Sequence, residues 1–299
     1  MSVPSPVVSR ICIIGLGLIG GSWVKALRLQ GAAERIVGFD VCLSSMEKAV
    51  ELGIIDEYAN SPKEAVKNAD LVILAVPILA TKNILLDIKD SLSGDTVVTD
   101  VGSVKGQLLA DIKDVFGSYQ ANFVLGHPIA GSEKSGITAA NEHLFKHHDV
   151  ILTPTKHTNP HALSMVKKLW ERVGANVELM DVKQHDSVLA ATSHLPHLLA
   201  YSLVDTLAHK HENKEIFNYA AGGFRDFTRI AASSPQMWHD IFTANKEAVM
   251  AALDLFSEDL SLLKQHIEAG DSEAMMKVFT QAKVARDHFS EILARKERT

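Results

Sequence analysis

One stretch limits what this chain can fold into more than any other. A short apolar run, Ile11-Cys12-Ile13-Ile14, stops at Gly15-Leu16-Gly17-Leu18-Ile19-Gly20, and a helical stretch follows from Ser22 to Gln30. A second apolar run, Arg35 to Phe39, ends on the acid Asp40. Strand, glycine turn, helix, strand and acid at this spacing form a dinucleotide-binding unit. Gly15 permits a tight turn out of the strand. Gly17 lets a pyrophosphate approach the backbone, and Gly20 lets helix and strand pack closely. The helix N-terminus then offers free N–H groups to the phosphates. Asp40 can accept hydrogen bonds from ribose hydroxyls, and its charge repels a 2′-phosphate. No Lys or Arg follows before Lys48. The reading is therefore NAD rather than NADP.

At 299 residues the chain has room for about two domains. It is 46% hydrophobic and 22% charged, the balance of a soluble globular protein. A net charge of −6 and the lack of a basic cluster argue against a nucleic-acid surface. Two cysteines, Cys12 and Cys42, are too few for a metal framework, and Cys12 reads as a small core residue. No apolar run reaches the length of a membrane span, and residues 1–10 lack the apolar core of a signal peptide. The expectation is a cytoplasmic protein.

Strands and helices alternate through the first half. Further strands are read at Leu71 to Val76, Thr96 to Asp100, Phe123 to Leu125, Asp149 to Thr153 and Asn176 to Met180. Helices are read at Ser44 to Leu52, from Ser61-Pro62, from about Val104 to Phe116, and from Pro160 to Val173. The pattern predicts a doubly wound α/β sheet with strands to spare beyond six. After Met180 no strand signal remains. Val182 to His209, Asn213 to Ala232 with a break at Gly222-Gly223, Pro235 to Ala269, and Ser272 to Lys296 read as helices with broad apolar stripes. The expected division is a Rossmann-type domain over 1–181 and an all-α substrate and dimerisation domain over 182–299, pairing two copies through its helices.

In such sheets the reactive crevice lies beyond the carboxyl ends of the strands. Gly15, Val76-Pro77, Gly102-Ser103 and Gly126-His127 all follow strands, and Leu18, Ile19, Val76, Pro77 and Ser103 join the glycines and Asp40 as expected cofactor contacts. Only Ser103 and His127 carry side chains suited to moving a proton. His127 precedes Pro128, which favours an extended backbone. A neutral imidazole there can take a proton from a hydroxyl. The position suits equally a histidine that only bonds its loop. Ser103 can bond a substrate or cap the helix from Val104. In Ser193-His194-Leu195-Pro196-His197, Pro196 removes a helical hydrogen bond and turns polar groups towards a cleft. The two histidines have no third ligand beside them, and no metal is expected. Arg225, Asp226 and Arg229, after Gly222-Gly223, suggest anion binding by a guanidinium or an ordinary charged helix face. Glu133 lies on the loop after His127, able to bond a substrate or pair with neighbours.

Five motifs carry a resemblance: Gly15 to Ser22, Asp100-Val101-Gly102-Ser103-Val104-Lys105, Gly126 to Gly136, Thr192 to His197, and Asp226-Phe227-Thr228-Arg229-Ile230-Ala231. In this order they resemble the prephenate dehydrogenase family, which includes arogenate and cyclohexadienyl dehydrogenases of tyrosine biosynthesis. The resemblance implies oxidative decarboxylation. NAD⁺ takes the C4 hydride of prephenate, CO₂ is lost, and the ring becomes aromatic as 4-hydroxyphenylpyruvate; arogenate gives tyrosine. It implies His127 as the catalytic histidine at the C4 hydroxyl, with Ser103 contacting both. It implies Arg229 on a substrate carboxylate, His197 and Glu133 near the side chain, Asp226 holding the arginine region, and a homodimer. The alternatives are a β-hydroxyacid-type dehydrogenase, whose lysine on the helical domain is not matched here, and an NAD-binding protein without catalysis.

Overall fold

A computed structural model describes residues 6–132, 134–209 and 221–296. Six parallel strands form the main sheet: β1 (Val8–Ile14), β2 (Ala33–Phe39), β3 (Glu57–Tyr58), β4 (Leu71–Leu74), β5 (Val97–Asp100) and β6 (Phe123–Val124). Their order is β3-β2-β1-β4-β5-β6. The chain winds outward from β1 in both directions, so the order reverses between β1 and β4, where such sheets bind ligands. All six carboxyl ends share one edge, as the sequence predicts.

Burial on both faces explains the unbroken apolar runs. Ile11 and Ile13 of β1 point into one cluster with Leu71 and Ile73 of β4. Cys12 and Ile14 point into the other with Val72 and Leu74. The first cluster is closed by α1 (Leu18–Leu29) and α6 (Pro160–Arg172), whose Trp23 and Trp170 rings stack at 3.6 Å. The second is closed by α4 (Thr81–Ile88), α5 (Gly106–Phe116) and α10 (Pro235–Ala244). Cys12 is a core thiol, pushed up to about 12 by burial. α2 (Leu43–Glu51) follows β2, and Ser61 caps the short α3 (Pro62–Ala65) by accepting from the Glu64 N–H, the signal read from Ser61-Pro62.

The strands beyond six form a second sheet. β7 (Gly126–Pro128) runs antiparallel to β8 (Asp149–Leu152), which runs parallel to β9 (Asn176–Leu179). His127 therefore sits inside a strand, paired with Ile151, rather than in a loop after β6. The helix expected from Val104 starts two residues later, at Gly106, and Ser103 does not cap it.

The long helix expected from Val182 is α7 (Val182–Leu189), a π turn at Ala190–His194, and α8 (Leu195–Ala208). The widened turn lies where Pro196 lacks the N–H that the Thr192 carbonyl would receive. Residues 213–220 of the next expected helix lie outside the described residues. Gly222 begins α9 (Gly222–Thr228) after an extended Ala221, and a 3-10 turn, Arg229–Ala232, follows. The stretch expected as one helix from Pro235 is two, α10 and α11 (Lys246–Ala269), divided at Asn245.

Two compact units emerge, 1–246 and 247–299. The first contains both sheets and α7 to α10. The second is built from α11 and α12 (Ser272–Lys296), joined through Gly270 at φ +65. Leu255, Leu260, Ile267, Phe279, Val284 and Phe289 are exposed along these helices. Among the described residues no helix is long and apolar enough to cross a membrane.

Candidate functional site

The site begins at the carboxyl edge of the main sheet. Gly15 turns the chain out of β1 at φ +99, and a Cβ there would lie 2.3 Å from the Ala75 carbonyl oxygen, so only glycine fits. Gly20 packs as closely: its Cβ would sit 2.6 Å from that of Ala75. Gly17 is different. A Cβ there would meet nothing within 4 Å, so the turn presents bare backbone to open space. No side chain caps α1, which leaves the N–H groups of its first turn, including Leu18 and Ile19, facing that space. An uncapped helix start over a glycine turn is a cradle for a diphosphate.

Asp40 closes the cradle. Its Oδ2 accepts from the Leu16 N–H at 2.7 Å and its Oδ1 from the Cys42 N–H at 2.9 Å. These bonds tie β2 to the glycine turn and leave lone pairs on both oxygens for ribose hydroxyls. Half-buried Val76 and exposed Pro77 follow β4, on the other side of the switch point.

Across the edge from the cradle, β5 ends in a buried acid. Asp100 Oδ2 accepts from the Gly102 N–H at 2.7 Å, and Oδ1 from the Gly126 N–H at 3.0 Å. Its ion-pair partner is Lys105, fully buried, whose Nζ also donates to the Gly126 carbonyl at 2.6 Å. Burial lowers the Lys105 ammonium, against the pull of Asp100. This pair staples the Ser103 loop and β7 to the end of β5. Ser103 is half-buried beside the staple, and among the described residues no hydrogen bond joins it to His127.

His127 is 9% exposed. Its Nδ1 lies 2.9 Å from His185 Nε2, and His185 Nδ1 lies 2.8 Å from Asp186 Oδ1. Asp186 in turn caps α5: Oδ1 accepts from the Lys105 N–H at 2.9 Å and Oδ2 from the Gly106 N–H at 2.7 Å. The helix start that Ser103 was expected to cap is thus capped from α7. Burial pushes the Asp186 carboxyl up, but the bonds from His185, Lys105 and Gly106 outweigh it and hold it below the usual range. His127 lies well below the ordinary imidazole value, first through burial and then through the positive charge of Lys105. It is neutral at pH 7, and Nε2 is the ring nitrogen left for a ligand.

The outer wall is looser. His197 donates from Nδ1 to the Ser193 carbonyl at 2.8 Å and stacks on Trp238 at 3.8 Å. Burial lowers its pKa, and the nearby Arg229 adds to this. Arg229 itself is exposed. Asp226 pairs with its neighbour Arg225 at 3.2 Å, both largely exposed, rather than with Arg229. His194 is buried, bonded through Nδ1 to Asn245 at 3.2 Å, and lowered to about 4 mainly by burial. Glu133 lies outside the described residues. No group of three metal-ligating side chains gathers among the described residues.

Sequence reasoning missed His185, Asp186, Lys105 and Asn245 as parts of one cluster. A signal existed for one of them, Lys105: Asp100 ends an apolar strand and Lys105 follows five residues later, charges that such a sheet buries only as a pair.

Known proteins bear on this geometry. Residues 24–179 match the family model described as prephenate dehydrogenase, nucleotide-binding domain, and residues 181–281 match prephenate dehydrogenase, dimerization domain. A cyclohexadienyl dehydrogenase of Zymomonas mobilis is 36% identical over 94% of this chain and 96% of its own length. The crystal structure of prephenate dehydrogenase from A. aeolicus, in complex with hydroxyphenyl propionate and NAD⁺, superposes with a TM-score of 0.87 at 42% identity, covering 94% of this chain and 98% of that one. Synechocystis arogenate dehydrogenase superposes with a TM-score of 0.80 at 30% identity, covering 94% of this chain and 99% of its own.

Proposed function

This chain belongs to the prephenate dehydrogenase family, and on that premise we propose that it oxidatively decarboxylates prephenate, arogenate or both with NAD⁺, in tyrosine biosynthesis. The observation that carries the reading is a neutral, buried His127 beside a glycine cradle that ends in Asp40 rather than in a cation.

The cradle fits NAD⁺. Gly15, Gly17 and Gly20 shape it, Leu18 and Ile19 bring backbone N–H groups to the diphosphate, Asp40 takes the ribose hydroxyls, and Val76, Pro77 and Ser103 flank the nicotinamide end. The bound dinucleotide supplies the hydride acceptor. The chain's own work is the proton and the anions. His127 Nε2 accepts the proton of the ring hydroxyl as the same carbon gives up hydride, and Ser103 orients that hydroxyl. A base that is neutral at pH 7 is ready for this without first losing a proton. Arg229 holds a substrate carboxylate, and His197 lines the side chain's end. Asp226 pairs with Arg225 at the mouth of the site and sets the local charge beside Arg229. The exposed apolar residues of α11 and α12 pair two copies into a homodimer, for which the matched dimerization domain is the support.

The test is NADH formation from prephenate and from arogenate, with NAD⁺ and with NADP⁺ in parallel. Turnover of either substrate with NAD⁺, and at least tenfold lower kcat/KM with NADP⁺, is expected. A folded protein that binds NAD⁺ and turns over neither substrate overturns the reading.

A further inference from the structure

We infer that His185 and Asp186 are positioning residues that fix the tautomer of His127 and receive the charge it takes on. The inference rests on the reading of His127 as the base. Donor counting along the chain leaves one neutral arrangement. Asp186, a carboxylate, can only accept, so His185 Nδ1 carries the proton across their 2.8 Å contact. His185 Nε2 then holds a lone pair and accepts from His127 Nδ1–H at 2.9 Å. His127 Nε2 is thereby bare, which is the form a base needs. The far end cannot drift, because Asp186 is anchored on the backbone of Lys105 and Gly106 and by its own carbonyl to the Asn245 amide at 2.9 Å.

The surrounding charges say where a proton's charge settles. The titratable groups facing His127 are Lys105 from the turn before α5, His185 from α7 and His194 from the π turn. Lys105 is itself paired to Asp100. A second positive charge on His127 is disfavoured by Lys105, whereas on His185 it lies against Asp186. The step balances. The substrate O–H bond breaks and an H–Nε2 bond forms on His127. The His127 Nδ1–H bond breaks and an H–Nε2 bond forms on His185. His185 ends as imidazolium, Asp186 stays ionised, and His127 stays neutral throughout. After product leaves, the same two transfers run in reverse and Nε2 gives its proton to solvent. The acid of a Ser-His-Asp triad plays this orienting part without being protonated.

The experiment has two arms on the full chain. In the first, ¹⁵N-histidine-labelled protein without substrate is examined by imidazole NMR, with His127→Asn and His185→Gln spectra giving the assignments. Both rings neutral and protonated at Nδ1 is expected at pH 7.5; a His127 protonated at Nε2 overturns the inference. In the second, Asp186→Asn is assayed across pH. Expected are a fall in kcat of roughly 10²-fold, at the low end for general-base catalysis, KM values within about twofold, and an acid limb moved down by roughly one pH unit because the charged form has lost its carboxylate. A fall in kcat with the limb unmoved marks a purely structural role and overturns the inference. If Asp186→Asn does not fold, His185→Gln carries the same arm, with the same shift expected. Wild-type protein with the expected tautomers but no turnover overturns the functional reading and leaves the tautomer assignment standing.

Discussion

The two walls of the site are built on opposite terms. On the inner wall His127, Lys105, His185 and Asp186 are at most 9% exposed, and each side chain has a named partner, with only His127 Nε2 left open for a ligand. On the outer wall Arg225, Asp226 and Arg229 are exposed, and the pair that forms there is between sequence neighbours. The difference follows from the work expected of each. A base must hold one tautomer and stay neutral, and only a buried network enforces that, because water would offer both ring nitrogens a partner. A guanidinium is charged in any surroundings, so it needs no enclosure before the substrate arrives. Substitutions on the inner wall should therefore damage rate or stability, and those on the outer wall should change affinity.

The largest effect is expected at the centre of the inner wall. His127→Asn removes the base and should lower kcat by up to roughly 10⁴-fold, with the substrate KM changed by less than tenfold. Initial rates of NADH formation over a substrate series measure both. An equal loss spread over KM would place His127 on the binding side and remove the contrast. Next comes the staple. Lys105→Met leaves the Asp100 carboxylate buried without its cation, a change that typically costs about 3–5 kcal/mol. Urea unfolding should show it as a lower midpoint with an unchanged slope. A loss under about 1 kcal/mol would mean that the N–H groups of Gly102 and Gly126 suffice for Asp100.

How much of this was legible in the chain follows the same contrast. The cofactor edge was readable because its requirements are local: a glycine at φ +99, an uncapped helix and an acid after the next strand lie within thirty residues of one another. The π turn was foreshadowed by Pro196, since a missing N–H is written in the residue itself. The relay was not readable. His185 and Asp186 stand 58 and 81 residues from the groups they bond, His127 and the Lys105 N–H, and nothing in the period of α7 distinguishes a histidine that meets β7 from one that meets water. The misplaced start of α5 has the same origin. Ser103 is a good cap by type, but a carboxylate from a distant helix reaches the N–H groups two residues further on. The extra strand at Gly126–Pro128 escaped notice because three residues ending in proline carry no alternation to read.

On the outer wall Arg229→Ala should raise the substrate KM by roughly 5- to 30-fold, the equivalent of about 1–2 kcal/mol for a bond to a charged group, with kcat nearly unchanged. A buried carboxylate pair would be worth about 2–5 kcal/mol, and the exposure of Arg229 is the reason for the smaller figure. A larger rise, or a loss in kcat, would show that substrate or a second chain encloses the arginine and gives the outer wall the character of the inner one.

Asp226 provides the finest test. Its pair with Arg225 lies on side chains that are 72% and 79% exposed, and such pairs contribute about 0–1 kcal/mol. Asp226→Asn should therefore leave unfolding unchanged within about 0.5 kcal/mol and move the substrate KM by less than about twofold. If the substitution raised KM as far as Arg229→Ala does, Asp226 would be acting on Arg229 rather than on Arg225, and a double-mutant cycle over Asp226 and Arg229 would show the coupling directly. If KM fell instead, the carboxylate would be repelling an anionic substrate. The outer wall would then be a filter of charge at the entrance, with Arg229 alone providing the attraction.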